Sequence, residues 1–341
     1  MLPSRPRAGE HRSLAVAGLS DPSGTKQPVK PRDWASDGGK SSTACRRHGT
    51  LPDRANLPTP DMRVHSQAEA RLHALSIDFA PRKKTGSRPA LSPQDCALAK
   101  RPAILACTHF AAGKHRSQKG RRPNRAYAYE LARRGYVVMR PTTPVRRLAY
   151  DFESDDYVSG TMKGIFNHMR CVDLLQSLPE VDPGRIGAIG HSLGGHNAMF
   201  VGVFDPRIKV IVSSCGWTPF HNYYGGNIKG WTSDRYMPLL KTRYKLDPNR
   251  VPFDFYEVVA ALAPRSFFSS SPLRDSNFDV RGVKKAIPKA REIYKLLGQV
   301  DALQLRTPDC DTTSPLMSAT KPTLHRPSPW PNGELKSREV G

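Results

Sequence analysis

At 341 residues the chain is long enough for one large domain with a sizeable core, plus tails. A mean hydropathy of −0.53 and 31 prolines argue against a chain packed throughout. The net charge is +23, with +8 over residues 1–100 and +11 over 101–150, and no zinc spacing, recognition-helix pattern or aromatic interleaving accompanies it; a solvated, Arg-rich arm is the expectation, with nucleic-acid binding through residues 1–150 as the lesser alternative.

Residues 1–99 are rich in Pro, Ser, Arg and Gly and read as a disordered basic N-terminal tail, with a short amphipathic helix expected at 62–75. No apolar run approaches the roughly 18 residues of a membrane span, and the run at 14–19 is too short for a signal-peptide core. The six cysteines, Cys45, Cys96, Cys107, Cys171, Cys215 and Cys310, form no CxxC. Free thiols, a reducing compartment and a cytoplasmic location are the expectation.

Order is expected from about residue 101. A buried strand at 102–107 leads through a loop to a helix at 125–134 closed by Gly135, and a second strand follows at 136–139. That βαβ unit predicts a parallel sheet. Over 161–178, Met162, Ile165, Phe166, Met169, Val172 and Leu175 recur at helical spacing and read as core. Further on, a strand is expected at 208–212, a helix at 253–262, a strand at 264–269, an amphipathic helix at 283–297 and a strand at 302–305. Between them, 216–252 is an aromatic insertion, either one wall of a substrate pocket or a packed excursion.

The chemistry centres on 185–196. An apolar strand runs into Gly190-His191-Ser192-Leu193-Gly194, and a small-residue helix follows. Gly-x-Ser-x-Gly between strand and helix is a nucleophile elbow: the serine occupies a strained turn, and the glycines let the two elements pass closely. The helix N-terminus and the Leu193 N–H then face a developing oxyanion. On these residues, on 164–178 and on 264–283, the chain resembles the α/β-hydrolase family. Its dienelactone-hydrolase, acetyl-esterase and prolyl-oligopeptidase-like branches are the nearest in likeness.

The resemblance implies an α/β-hydrolase fold over 100–309, mostly parallel sheet with helices on both faces, and an irregular tail at 310–341. It also implies the catalytic order Ser, acid, His. A serine hydroxyl needs a histidine base, and that histidine needs a carboxylate to orient it. Asp275 lies after a strand and before a helix, where the family carries its acid, with Asp279 as the alternative. His109, after the first strand, is the candidate second oxyanion donor. The base is expected about 30–40 residues beyond the acid, yet the first histidine after Asp275 is His325, in a proline-broken stretch poorly suited to the role. His191 and His196 are expected to line the elbow rather than act as base. One GC-rich choice of codons for 311–324, read from the third base of the Cys310 codon, spells Arg-His-Asp-Phe-Pro-Pro-Asp-Glu-Arg-Asp-Glu-Ala-Tyr. His-Asp-Phe-Pro before an acidic helix resembles the family's surroundings of its catalytic histidine, so a change of reading frame near Cys310 is the expectation.

The function expected is a serine hydrolase acting on a carboxylic ester. A prolyl-oligopeptidase-like peptidase and a catalytically inactive hydrolase fold are the alternatives. The resemblance implies no cofactor and no metal. The expected partner is a small-molecule ester or peptide substrate, with no specific nucleic acid and no membrane, and the oligomeric state is left open.

Overall fold

The computed structural model describes residues 62–69, 72–79, 87–93, 100–107, 127–141, 159–233 and 236–312. Among the described residues nine strands form one sheet: β1 (Met62–Glu69), β2 (Leu72–Phe79), β3 (Ser87–Pro93), β4 (Arg101–Cys107), β5 (Val137–Met139), β6 (Val181–His191), β7 (Ile208–Ser214), β8 (Ser266–Ser270) and β9 (Leu303–Arg306). Their spatial order is β1-β2-β3-β5-β4-β6-β7-β8-β9. From β5 to β9 all neighbours are parallel, whereas β1, β2 and β3 pair antiparallel and join the sheet along β5.

The helix expected at 62–75 is therefore two strands, and the sheet begins inside the stretch read as tail. The hairpin register runs from Met62 opposite Phe79 to Glu69 opposite Leu72. A segment this short has little intrinsic helical stability, so backbone pairing to a sheet edge overrides it.

The helices are α1 (Tyr127–Arg133), α2 (Gly160–Ser177), α3 (Leu193–Phe204), α4 (Leu239–Thr242), α5 (Phe255–Ala260) and α6 (Val280–Leu296). The side-chain alternation of the parallel strands divides the core in two. Ile104, Ala106, Val138, Ile189, Val210 and Val212 pack with α1 through Tyr127, Ala128, Leu131 and Ala132. Ala103, Leu105, Cys107, Ile186, Ala188 and Ile211 belong to the opposite cluster, with residues of α2, α3, α5 and α6. Both faces of the sheet are thus covered, as a parallel sheet requires.

Two caps show how local sequence sets the helix starts. Ser159 Oγ accepts from Met162 N at 3.2 Å at the start of α2. At α5, Asp254 and Glu257 form a reciprocal capping box, with Glu257 Oε2 accepting from Asp254 N at 2.6 Å. No described helix is long and apolar enough to cross a membrane.

Candidate active site

The C-terminal ends of the parallel strands are stitched together by backbone hydrogen bonds. Ser192 N donates to Ser214 O, Cys215 N to Ser270 O, and Ser271 N to Arg306 O, each at 2.8 Å. The loops that follow β6, β7 and β8 therefore lie side by side, which is where open α/β sheets place their ligands.

Ser192 sits at the turn from β6 into α3 with φ 55° and ψ −125°. A non-glycine residue held there stores about 1–3 kcal/mol of strain. The turn is clamped from both sides: Ser192 N is bound across the sheet to Ser214 O, and Ser192 O accepts from His196 N at 3.1 Å. The glycines make room for it. A Cβ on Gly190 would overlap the Gly194 carbonyl, and one on Gly195 would come within 2.8 Å of Ser213 Oγ. Leu193 is the first residue of α3. Its N–H is among those that a helix leaves without an intrahelical acceptor, at the positive end of the dipole.

Asp275 follows β8. Its Oδ1 accepts from Asn277 N at 2.9 Å and Phe278 N at 3.0 Å. Its Oδ2 is buried and has no hydrogen-bond partner. Burial raises the pKa of this carboxyl above its ordinary range, against the lowering effect of the two backbone donors and the Cys215 thiol. Asp279 is differently placed: it caps α6, accepting from Arg281 N at 2.8 Å, and pairs with the Arg281 guanidinium at 2.9 Å. The Arg281 bonds hold its pKa below the ordinary range.

The two histidines of the elbow are both occupied. His191 Nδ1 lies 3.2 Å from Ser214 Oγ. His196 is fully buried, with ring centroids 4.5 Å from Phe200 and 4.7 Å from Trp231. Burial pushes its pKa down to about 3, so it stays neutral. His109 and His325 lie outside the described residues.

Sequence reasoning missed Cys215, which occupies the loop between Ser192 and Asp275 with φ 49°. Its position directly after an apolar strand is a signal that could have drawn notice. Burial foremost, with Asp275 and Cys310 adding to it, pushes this thiol up to about 12, so it remains protonated. Most aromatics of the insertion point inward: Trp217, Phe220, Tyr223, Trp231 and Tyr244 are buried. Trp231 stacks between His196 and Phe278, 5.9 Å from the latter. Tyr236 is half-buried, and Tyr224 is 61% exposed, its hydroxyl donating to Asn277 Oδ1 at 3.2 Å beside the acid loop. Among the described residues no group of three His, Cys, Asp or Glu could hold a metal ion.

This architecture agrees with comparisons to known proteins. Residues 152–298 match a family described as glucuronyl esterase of fungi. A Bacillus subtilis (strain 168) protein named as a hydrolase, YtaP, is 25% identical over 289 residues, covering 75% of this chain and 87% of its own length. A glucuronoyl esterase of carbohydrate esterase family 15 from Caldicellulosiruptor kristjansonii superposes with a TM-score of 0.65 at 18% identity, over 95% of this chain and 93% of that one. The chain has the α/β-hydrolase fold. A glucuronoyl esterase from Solibacter usitatus has the same fold, with a TM-score of 0.63 at 18% identity over 87% of this α/β-hydrolase chain and 93% of its own.

Proposed function

We propose that this α/β-hydrolase is a carboxylic ester hydrolase with Ser192 as its nucleophile. One observation carries the reading: a serine at φ 55°, clamped to the neighbouring strand end and set at the N-terminus of α3. Strain of this kind persists only where the surroundings impose it, and it exposes Oγ at the top of the sheet. Ser192 Oγ attacks the ester carbonyl, the Leu193 N–H stabilises the tetrahedral oxyanion, and water later resolves the acyl-enzyme. Asp275 orients the base through Oδ2, the oxygen its own loop leaves unpartnered. Asp279 is spent on capping α6 and on Arg281.

The match to glucuronyl esterases supports an ester of a sugar carboxylate as the substrate class, and favours an ester over the peptide bond of the prolyl-oligopeptidase alternative. The test is reaction with a fluorophosphonate probe, alongside hydrolysis of a glucuronic acid methyl ester. Labelling that disappears in Ser192→Ala supports the reading; equal labelling of the two proteins would sink it.

A second reading, a hydrolase fold without turnover, is favoured by one specific fact: no histidine occurs from Ser276 to Leu324. Its signature is intact folding with neither labelling nor hydrolysis.

A further inference from the structure

Among the described residues three large apolar side chains stand out to solvent: Tyr224 at 61%, Leu273 at 42% and Val300 at 38% exposed. Val300 follows the far end of α6, but the other two adjoin the acid loop. Leu273 precedes Asp275 by two residues. Tyr224 donates its hydroxyl to Asn277 Oδ1 at 3.2 Å, and Asn277 N donates to Asp275 Oδ1 at 2.9 Å. An exposed aromatic ring is thus tied, through one asparagine, to the carboxylate that orients the base in the proposed function.

The chain holds the ring there against its backbone preference. Tyr224 has φ 45° and ψ 43°, and Gly225 and Gly226 follow at φ 67° and 96°. Left-handed backbone at a bulky residue persists only where the surroundings impose it, and it gathers at ligand sites. The side chain is fixed at two points: its hydroxyl by Asn277, and its ring by Tyr223, with centroids 4.8 Å apart and planes at 89°. Tyr223 in turn packs on Trp231 and Phe278, at 5.5 and 6.1 Å. Rotamer freedom is therefore lost before any ligand arrives, which lowers the cost of binding. The room alongside is open, since a Cβ on Gly225 would meet no heavy atom within 4 Å.

The surroundings of the ring select its ligand. The exposed apolar surface beside the acid loop is one tyrosine and one leucine, too little for an acyl chain or a protein partner, which need a larger contiguous patch. The ring is also bordered by an amide: Asn277 uses Oδ1 on Tyr224 and keeps its Nδ2 donors. A pyranose of the gluco type fits both features. Its C–H groups lie on flat faces that suit the negative face of an aromatic ring, and its hydroxyls project at the edge toward hydrogen-bonding side chains. Resting on the reading of Ser192 as nucleophile toward a sugar ester, we infer that Tyr224 is the platform on which a pyranose ring of the substrate stacks, with Asn277 Nδ2 donating to a hydroxyl of that ring. The platform binds substrate and takes no part in proton transfer.

The experiment compares the full chain with Tyr224→Ala and Tyr224→Trp on the methyl ester of glucuronic acid and on a disaccharide carrying the same ester. Fluorophosphonate labelling of Ser192, which needs no sugar, is the internal reference. In parallel, saturation-transfer NMR in a Ser192→Ala background reads contact of the sugar C–H groups with the protein in the absence of turnover. The expected result in Tyr224→Ala is a kcat/KM for the sugar esters that falls about threefold to tenfold further than the labelling rate, through KM rather than kcat. Tyr224→Trp should restore it, and the NMR transfer should follow the same order. A loss on the disaccharide alone also supports the platform and sets it one ring beyond the ester. Sugar-ester hydrolysis and NMR transfer that ignore Tyr224→Ala overturn the platform. So does a fall in labelling and in the urea midpoint that matches the fall in sugar-ester hydrolysis, because Tyr224 would then only support the acid loop. Transfer lost in Tyr224→Ala from a chain whose Ser192 never labels keeps the platform and removes the nucleophile reading. Ser192-dependent labelling with NMR transfer indifferent to Tyr224 does the reverse.

Discussion

Replacing Ser192 by glycine is expected to make the protein more stable while abolishing its chemistry. Ser192 is held at φ 55° and ψ −125°, a conformation that costs a non-glycine residue about 1–3 kcal/mol. Glycine reaches it without steric cost but loses about 0.5–1 kcal/mol more in conformational entropy on folding. The net gain is about 0–2.5 kcal/mol, about 1 kcal/mol at the middle of the two ranges. The reference is Ser192→Ala, which also lacks the hydroxyl but keeps the Cβ and hence the strain. Urea unfolding followed by circular dichroism should place the glycine variant at a higher midpoint than the alanine variant, with an unchanged slope. For a folded unit of this size the melting temperatures should differ by about 2–4 °C at the mid-range gain, and by at most about 10 °C. The reasoning is refuted if Ser192→Gly is no more stable than Ser192→Ala. In that case the clamp between Ser214 O and His196 N would not be imposing the turn.

Two further outcomes follow from the core and the caps. Trp231 is 5% exposed and stacked between His196 and Phe278, so Trp231→Ala should cost about 3–5 kcal/mol. Because its Nε1 is buried without a partner, Trp231→Phe breaks no hydrogen bond and should cost well under half of that; equal urea midpoints for the two variants would contradict the stack. At the α5 cap, burial raises the Glu257 carboxyl from 4.5 to about 8 and Asp254 from 3.8 to about 6. The folded chain therefore holds protons that the unfolded chain has released, and stability falls as pH rises between those limits. Melting temperature should decline from about pH 5 to pH 8, and Glu257→Gln, which keeps the acceptor oxygen of the capping box, should flatten that decline. An unaltered slope in the variant would count against the assignment.

Much of the parallel half was legible in the sequence because its signals are local. The strand at β4, the helical spacing of Met162, Ile165, Phe166, Met169, Val172 and Leu175, and the glycines around Ser192 each lie within one short window. A buried parallel strand must be apolar on both faces, a buried helix must repeat every 3.6 residues, and an elbow must spare its Cβ atoms. Those demands are written into neighbouring residues, so spacing predicted a parallel sheet and nominated Ser192, and the family resemblance carried by those motifs implied the α/β-hydrolase fold.

What only the tertiary structure decided depends on partners far along the chain. The hairpin of β1 and β2 exists because β3 meets β5, a pairing between residues nearly 50 positions apart. The positive φ of Ser192 is clamped by Ser214 O on the next strand. Asp275 and Asp279 are four residues apart and alike in sequence, yet Arg281 and the start of α6 occupy one of them, while the other keeps an oxygen without a partner. The insertion could have been wall or filling; packing against His196, Phe255 and Phe278 buried Trp231 and left Tyr224 at the surface. A residue's type sets what it can bind, but which group reaches it first is settled by loop closure and burial across the whole domain.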